Sequence, residues 1–200
     1  IYAVYSEATA VTRYGFNGLP EWETLISTSV GSDHFYSCVF NNTIYMAAYH
    51  LGIENYFYKL SGMRGSWDRI ASSGDDPNVN NAIMAVHDER LYICDYSGVL
   101  YILREDESGW DYLQGSPPGY AYPKNLISYS GYLFLVTGNS YLDFDDKTEL
   151  FILKEGGYLK SWGSGPRSLR SSVVYQDRLY YSSSYPSYGN IIRYQPINGI

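Results

Sequence analysis

The chain has 200 residues, of which 45% are hydrophobic and 18% charged, so it can bury a core and is not disordered by composition. A net charge of -7 with scattered Lys and Arg residues argues against nucleic-acid binding, and no apolar run reaches the roughly 20 residues needed for membrane insertion. The 24 tyrosines favour β-strands, because the ring packs on a pleated surface while the hydroxyl stays wet.

An internal repeat with a period of about 40 to 50 residues runs along the whole chain. Its first landmark is an aromatic residue that follows an apolar run and a short polar turn, at Tyr2, Tyr45, Tyr92, Phe134 and Tyr180. An alternating apolar segment follows each landmark, and in three periods a further strand then begins at a tryptophan: Trp22, Trp67 and Trp110. Each full period therefore predicts four short strands and no long amphipathic helix.

Four-stranded units of this length predict an all-β fold, a β-propeller of antiparallel blades, with a β-sandwich or other repeat barrel as the alternative. We expect a single domain of about five blades, or part of a larger propeller. Its repeat units are approximately 1-32, 33-78, 79-119, 120-166 and 167-200. The first unit begins at its second strand and the last ends after its third, which gives eighteen predicted strands.

The closing segment "SSVVYQDRLYYSSSYPSYGNIIRYQPINGI" resembles a kelch repeat, in which an apolar strand, a turn and an "LY" strand precede an aromatic strand. Kelch repeats carry a Gly-Gly pair after the second strand. The corresponding positions here are Ala47-Ala48, Cys94-Asp95, Thr137-Gly138 and Ser182-Ser183. The resemblance therefore implies a blade architecture and no particular activity.

Loop lengths distinguish the two ends of the predicted blades. Turns after the first and third strands are short, whereas several loops after the second and fourth strands are long and irregular. We call these the tight-turn end and the long-loop end, and we expect the long-loop end to bind the ligand, because function concentrates on variable loops. The predicted ligand-binding residues are Tyr120, Tyr122, Tyr185, Tyr188, Arg167 and Arg170.

One long loop, "GNSYLDFDDKTE", gathers four carboxylates, which are oxygen ligands of the kind that Ca²⁺ prefers. The candidate metal ligands are Asp143, Asp145, Asp146 and Glu149. The loop lacks the glycine and the spacing of an EF-hand, so a solvated acidic hairpin is the simpler interpretation. We expect no cofactor, with Ca²⁺ as the alternative.

Catalytic patterns are mostly missing from the sequence. His34, His50 and His87 fall in different units without metal-ligand spacing, and we expect His87, in a tight turn beside Asp88, to be solvated. No G-x-S-x-G nucleophile elbow is present. Cys38 and Cys94 are expected to be buried or half-buried free thiols, with a disulfide as the alternative.

These features favour a non-catalytic binding module that recognises a glycan or a protein partner. Two alternatives stay open: a carbohydrate-active hydrolase or lyase, whose paired carboxylates cannot be located from sequence, and a structural protein that self-associates through its tyrosines. The sequon Asn41-Asn42-Thr43 is typical of secreted proteins, so we expect an extracellular location. The first residue, Ile1, predicts a processed or excerpted chain whose signal peptide is already absent.

Overall fold

The computed structural model of the chain describes residues 2–5, 10–14, 22–26, 34–49, 56–60, 67–70, 77, 82–115, 122–138, 149–154, 159–164, 169–175, 178–183 and 190–194. Every regular element in these ranges is a β-strand, and the strands form five antiparallel sheets. Among the same residues there is no helix of the length and apolar character that would cross a bilayer.

The sheets follow one another along the chain. The first comprises β1 (Tyr2–Tyr5), β2 (Ala10–Tyr14) and β3 (Trp22–Ile26). The second comprises β4 (His34–Phe40), β5 (Thr43–Tyr49), β6 (Tyr56–Leu60) and β7 (Trp67–Arg69). The third comprises β8 (Ile83–His87), β9 (Arg90–Cys94), β10 (Leu100–Leu103) and β11 (Trp110–Gln114). The fourth comprises β12 (Tyr122–Tyr129), β13 (Tyr132–Gly138), β14 (Glu149–Leu153) and β15 (Leu159–Ser164). The fifth comprises β16 (Leu169–Tyr175), β17 (Arg178–Ser183) and β18 (Asn190–Tyr194).

Each sheet is a meander, in which neighbouring strands are consecutive in the chain and antiparallel. The repeat predicted this arrangement. It predicted the three-stranded first and last sheets and the four-stranded sheet that contains Tyr92 and Trp110. Tyr45 and Tyr92 lie in second strands as expected, and β3, β7 and β11 each begin at a tryptophan. The chain is thus a β-propeller, while the number of blades in its ring and its single-domain character stay predictions.

Two-residue turns with positive φ angles join first to second strands in the described part of the molecule. Their φ values are 46° and 58° at Asn41-Asn42, 45° and 56° at Asp88-Glu89, and 50° and 75° at Ser130-Gly131. Two successive positive φ angles give the turn a twist that matches the twist of the flanking strands. The turns therefore fix the pairing register of each hairpin at the tight-turn end.

The first strands of successive sheets lie side by side: β4 contacts β8, β8 contacts β12, and β12 contacts β16. We call these four the inner strands. Between the second and third sheets lies one hydrophobic cluster, which includes Tyr45, Phe57, Leu91, Ile93 and Trp110. Between the third and fourth lies another, which includes Tyr92, Cys94, Leu126, Leu135 and Phe151. The third sheet thus buries both of its faces on neighbouring sheets, as blades around an axis require.

Candidate functional site

The predicted site residues are only partly covered by the described structure. Tyr122 is the first residue of β12 and is half-buried, Glu149 is the first residue of β14 and is half-buried, and Arg170 lies in β16. The other seven lie outside the described residues: Tyr120, Asp143, Asp145, Asp146, Arg167, Tyr185 and Tyr188. Their roles in ligand or calcium binding stay predictions.

A loop that is held by internal hydrogen bonds joins β9 to β10 at the long-loop end. The carboxylate of Asp95 accepts hydrogen bonds from the backbone amides of Ser97 and Val99, both at 2.9 Å, and from the Ser97 hydroxyl at 2.7 Å. The Asp95 amide also donates to the Val99 carbonyl at 2.9 Å, and Gly98 takes a φ of 86°. Asp95 is only 4% exposed, so this network satisfies a buried charge and holds the loop in one conformation.

The third sheet carries two exposed tyrosines, one in this loop and one on its last strand. Tyr96, within the loop, is 41% exposed, and Tyr112, two residues before the end of β11, is 64% exposed. Tyr112 pairs across the sheet with Tyr101, the second residue of β10, and the two rings meet edge to face at 6.1 Å and 88°. We call Tyr96, Tyr101 and Tyr112 the tyrosine platform.

The Tyr112 ring is held from two sides. Tyr101 supports it in an edge-to-face contact, a geometry that aromatic pairs favour. A Cβ atom at Gly115 would lie 3.1 Å from the Tyr112 hydroxyl, so the hydroxyl rests close to a residue without a side chain. Gly115 thereby leaves room for the ring to lie along the end of its own strand. The platform combines an exposed ring face with a fixed orientation.

Sequence reasoning did not select Tyr96 or Tyr112 as site residues. It sought tyrosines in long loops, whereas Tyr112 lies in a strand and Tyr96 in a five-residue loop. The register of β10 and β11 places Tyr101 opposite Tyr112, and residues opposite each other in antiparallel strands share one face.

The tight-turn end carries a polar contact between sheets. The Tyr45 hydroxyl donates to the Glu107 carboxylate at 2.8 Å, and the Lys59 ammonium donates to its other oxygen at 2.5 Å. These donors belong to the second sheet, whereas Glu107 lies in the turn between β10 and β11. The hydrogen bond from Lys59, followed by that from Tyr45, lowers the pKa of Glu107, although burial opposes the shift.

His87 is not solvated, contrary to the expectation from its place beside a turn. Its side chain is only 10% exposed, because the ring packs toward the fourth sheet, where its Nδ1 lies 3.0 Å from the Ser128 hydroxyl oxygen. Its Nε2 lies 3.4 Å from a carboxylate oxygen of Asp88. The Ser128 partner is distant in sequence, so no local pattern could reveal it.

The cysteines are free thiols, as the sequence predicted, and the disulfide alternative is wrong. Cys38 is half-buried and Cys94 is fully buried. Burial raises the pKa of Cys38 to about 12 and holds the pKa of Cys94 well above its usual value. In the described part of the chain, no three His, Cys, Asp or Glu side chains gather as metal ligands.

Comparisons with known proteins show the fold. No protein-family model matches the chain, and no curated protein sequence matches it. The solved structure of YjhT is similar with a TM-score of 0.68 and 14% identity, over 90% of this chain and 67% of that one. The tricorn protease is similar with a TM-score of 0.60 and 13% identity, over 96% of this chain and 21% of that one.

A bifunctional GH43-CE protein of Bacteroides eggerthii is also similar in structure, with a TM-score of 0.56 and 12% identity. The match covers 90% of this chain and 29% of that one, so this chain spans less than a third of that protein. At such identities the likeness concerns the fold and not the activity. The meander sheets, the adjacent inner strands and these likenesses together show that the chain is a β-propeller.

Proposed function

We propose that the chain is a binding module that recognises a glycan at the long-loop end without converting it. The observation that carries this proposal is the 64% exposed ring of Tyr112, held edge to face against Tyr101. A flat ring with a polar tip can pack on the apolar face of a sugar while its hydroxyl bonds to the sugar's hydroxyl groups. Tyr96 offers a second exposed ring at the same end.

The rigidity of the platform supports binding. The buried Asp95 carboxylate fixes the loop that bears Tyr96, and the Tyr101 contact fixes Tyr112. A side chain that is already ordered loses less conformational entropy when a ligand arrives, so more of the contact energy appears as affinity. The fold likeness to the GH43-CE protein is compatible with a sugar ligand, but it rests on architecture alone.

A glycan array followed by calorimetric titration of the best ligand tests the proposal. We expect Tyr112→Ala to weaken binding about tenfold or more, as truncation of a central aromatic anchor does. Tyr112→Phe, which keeps the ring, should retain most of the affinity. Val39→Thr, at an exposed site near the tight-turn end of β4, is the matched control and should bind like the wild type.

Three outcomes contradict the proposal. Turnover of the bound glycan at the tyrosine platform would favour the carbohydrate-active alternative. Binding of a protein but of no glycan would assign the platform to a protein partner. Self-association that rises with concentration in light scattering and disappears in Tyr112→Ala would favour the structural alternative.

A further inference from the structure

The tight-turn end of the inner strands carries one polar pair at a position of the repeat that is otherwise apolar in the described blades. The last residues of the four inner strands are Phe40, His87, Tyr129 and Tyr175. The residues before them are Val39, Val86, Ser128 and Val174. His87 and Ser128 are thus the polar members of two otherwise apolar series, and they face each other.

The interface between the second and third sheets shows how residues at the two equivalent positions pack. Between the second and third sheets, Phe40 and Val86 both pack against the hydrophobic cluster. Between the third and fourth sheets the same two positions hold His87 and Ser128, joined at 3.0 Å. An aromatic–valine pair would fill this space without desolvating polar atoms, so the polar pair is not needed for packing.

The pair has the geometry of a nucleophile and its base. A hydroxyl within about 2.6–3.2 Å of a base that a third group orients is the arrangement that activates serine. Here the Ser128 Oγ lies 3.0 Å from His87 Nδ1, and Asp88 Oδ2 lies 3.4 Å from Nε2 on the other side of the ring. In the neutral tautomer that carries its proton on Nε2, this N–H lies beside the Asp88 carboxylate. Nδ1 then has the lone pair that accepts the Ser128 proton.

We propose that Ser128, His87 and Asp88 form a second functional site, which cleaves small carboxylic esters at the tight-turn end. Ser128 Oγ bonds to the carbonyl carbon, and its proton moves to His87 Nδ1. The bond from that carbon to the ester oxygen breaks, and the departing alcohol takes the proton from His87. Water then gives a proton to His87 Nδ1 as its oxygen bonds to the acyl carbon. The bond from that carbon to Ser128 Oγ breaks and Oγ takes the proton back from His87, so ester and water give acid and alcohol.

The surroundings of the pair suit this chemistry. His87 and Ser128 lie within two residues of the ends of β8 and β12, next to the short turns, and Ser128 is half-buried and not sealed. β12 pairs with β13 along one edge, so every second amide of β12 points away from β13. Such amides are the type of donor that stabilises the oxyanion of an acyl-transfer intermediate.

Labelling with a fluorophosphonate probe, followed by peptide mass spectrometry, tests the site on the full chain. We expect a single phosphonylated serine at Ser128, and p-nitrophenyl acetate hydrolysis that falls about 100-fold or more in His87→Gln. Ser108→Ala, at an exposed serine in the turn between β10 and β11, is the matched control and should label like the wild type. A label on any serine other than Ser128 overturns the proposal.

A double variant separates loss of chemistry from loss of folding. His87→Phe with Ser128→Val recreates the Phe40 and Val86 pair of the neighbouring interface, so it should fold at least as well as the wild type. We expect it to show neither labelling nor hydrolysis. Two results would overturn the proposal: ester hydrolysis by this folded double variant, or a wild-type protein that the fluorophosphonate probe does not label. Glycan binding by the tyrosine platform is unaffected by either result, because it depends on other residues.

Discussion

The hydroxyl of Tyr45 donates to the carboxylate of Glu107 at 2.8 Å, and this bond ties a core strand of one blade to a surface turn of the next. Tyr45 is 1% exposed, whereas the Glu107 side chain is 30% exposed, so the bond joins the hydrophobic cluster to the solvent boundary. Lys59 donates to the same carboxylate. Blade-to-blade packing here thus depends on a polar contact as well as on apolar burial.

Removal of this contact should destabilise the fold in a pH-dependent way. We expect Glu107→Gln to lose about 1–2 kcal/mol of unfolding free energy at pH 7, since a charge-assisted hydrogen bond becomes a neutral one. The hydrogen bonds from Lys59 and Tyr45 lower the folded pKa of Glu107 below the usual value of a glutamate. Its stabilisation is therefore present above the unfolded pKa and lost as the pH falls through the folded pKa.

Urea unfolding at about pH 7, 5 and 3 measures this contribution. The difference in unfolding free energy between the wild type and Glu107→Gln should be largest at pH 7 and should shrink toward pH 3. Tyr45→Phe is the partner variant, and it should cost about 1 kcal/mol at pH 7. A wild-type advantage over Glu107→Gln that grows in acid would contradict the assigned role.

The Asp95 loop should be sensitive to the substitution Asp95→Asn, which we expect to lower the free energy of unfolding. In Asp95→Asn, an NH2 group replaces one carboxylate oxygen. The Ser97 and Val99 donors then face a neutral acceptor instead of a charged one, at a residue that is only 4% exposed. We expect a loss of about 1–3 kcal/mol of unfolding free energy, because the network is buried. Weaker glycan binding should accompany it if the loop positions Tyr96.

Asp106→Asn is the matched control for Asp95→Asn. Asp106 also accepts a backbone hydrogen bond from the residue two positions later, Ser108 at 2.9 Å, but it is exposed. Its substitution should leave the chemical denaturation midpoint within error of the wild type. Equal effects of the two substitutions would show that burial of Asp95 contributes nothing.

The fold was predictable from the sequence to the extent that it depends on local alternation. The strands around Tyr92 and Trp110 were predicted because their apolar residues alternate and their turn residues tolerate positive φ. Exposure was not predictable in this way. Trp110 and Tyr112 lie two residues apart on one face of β11, yet they are 2% and 64% exposed. Which of the two a neighbouring blade covers depends on tertiary packing, which the local pattern does not contain.

The polar sites show the same limit. His87 and Ser128 are 41 residues apart, and their contact depends on how two blades pack. Each residue alone has an ordinary local explanation, a turn-flanking histidine and a strand serine. Comparison of equivalent positions in successive repeats supplies the missing signal, since it shows two polar residues in two otherwise apolar series. Which residue of one series meets which residue of the other still depends on how β8 packs against β12.

The thiols should be unreactive in the folded protein. A thiol with a pKa of about 12, as burial gives Cys38, has almost no thiolate at pH 8, and Cys94 is fully buried. We therefore expect no prompt reaction with Ellman's reagent at pH 8, and two equivalents of reaction after denaturation in guanidinium chloride. Fewer than two thiols in the denatured, unreduced protein would point to a disulfide.

Trp110 should be the most costly aromatic residue to remove among those that the structure describes on β11. It is 2% exposed, and its ring centroid lies 4.8 Å from that of Phe57 in the adjacent sheet. Trp110→Ala should cost about 3–5 kcal/mol of unfolding free energy, since the cavity lies between two blades that cannot easily collapse onto each other. Tyr112→Ala, two residues along the same face, is the control and should cost less than about 1 kcal/mol.

Trp110→Phe tests whether the indole nitrogen contributes to that cost. The Nε1 atom of Trp110 is buried and has no hydrogen-bond partner among the described residues, so its loss removes no stabilising bond. We therefore expect Trp110→Phe to lose only the transfer and packing energy of the smaller ring, and to be clearly more stable than Trp110→Ala in urea unfolding. A loss in Trp110→Phe well beyond the transfer and packing energy of the smaller ring would mean that the indole N–H has a partner.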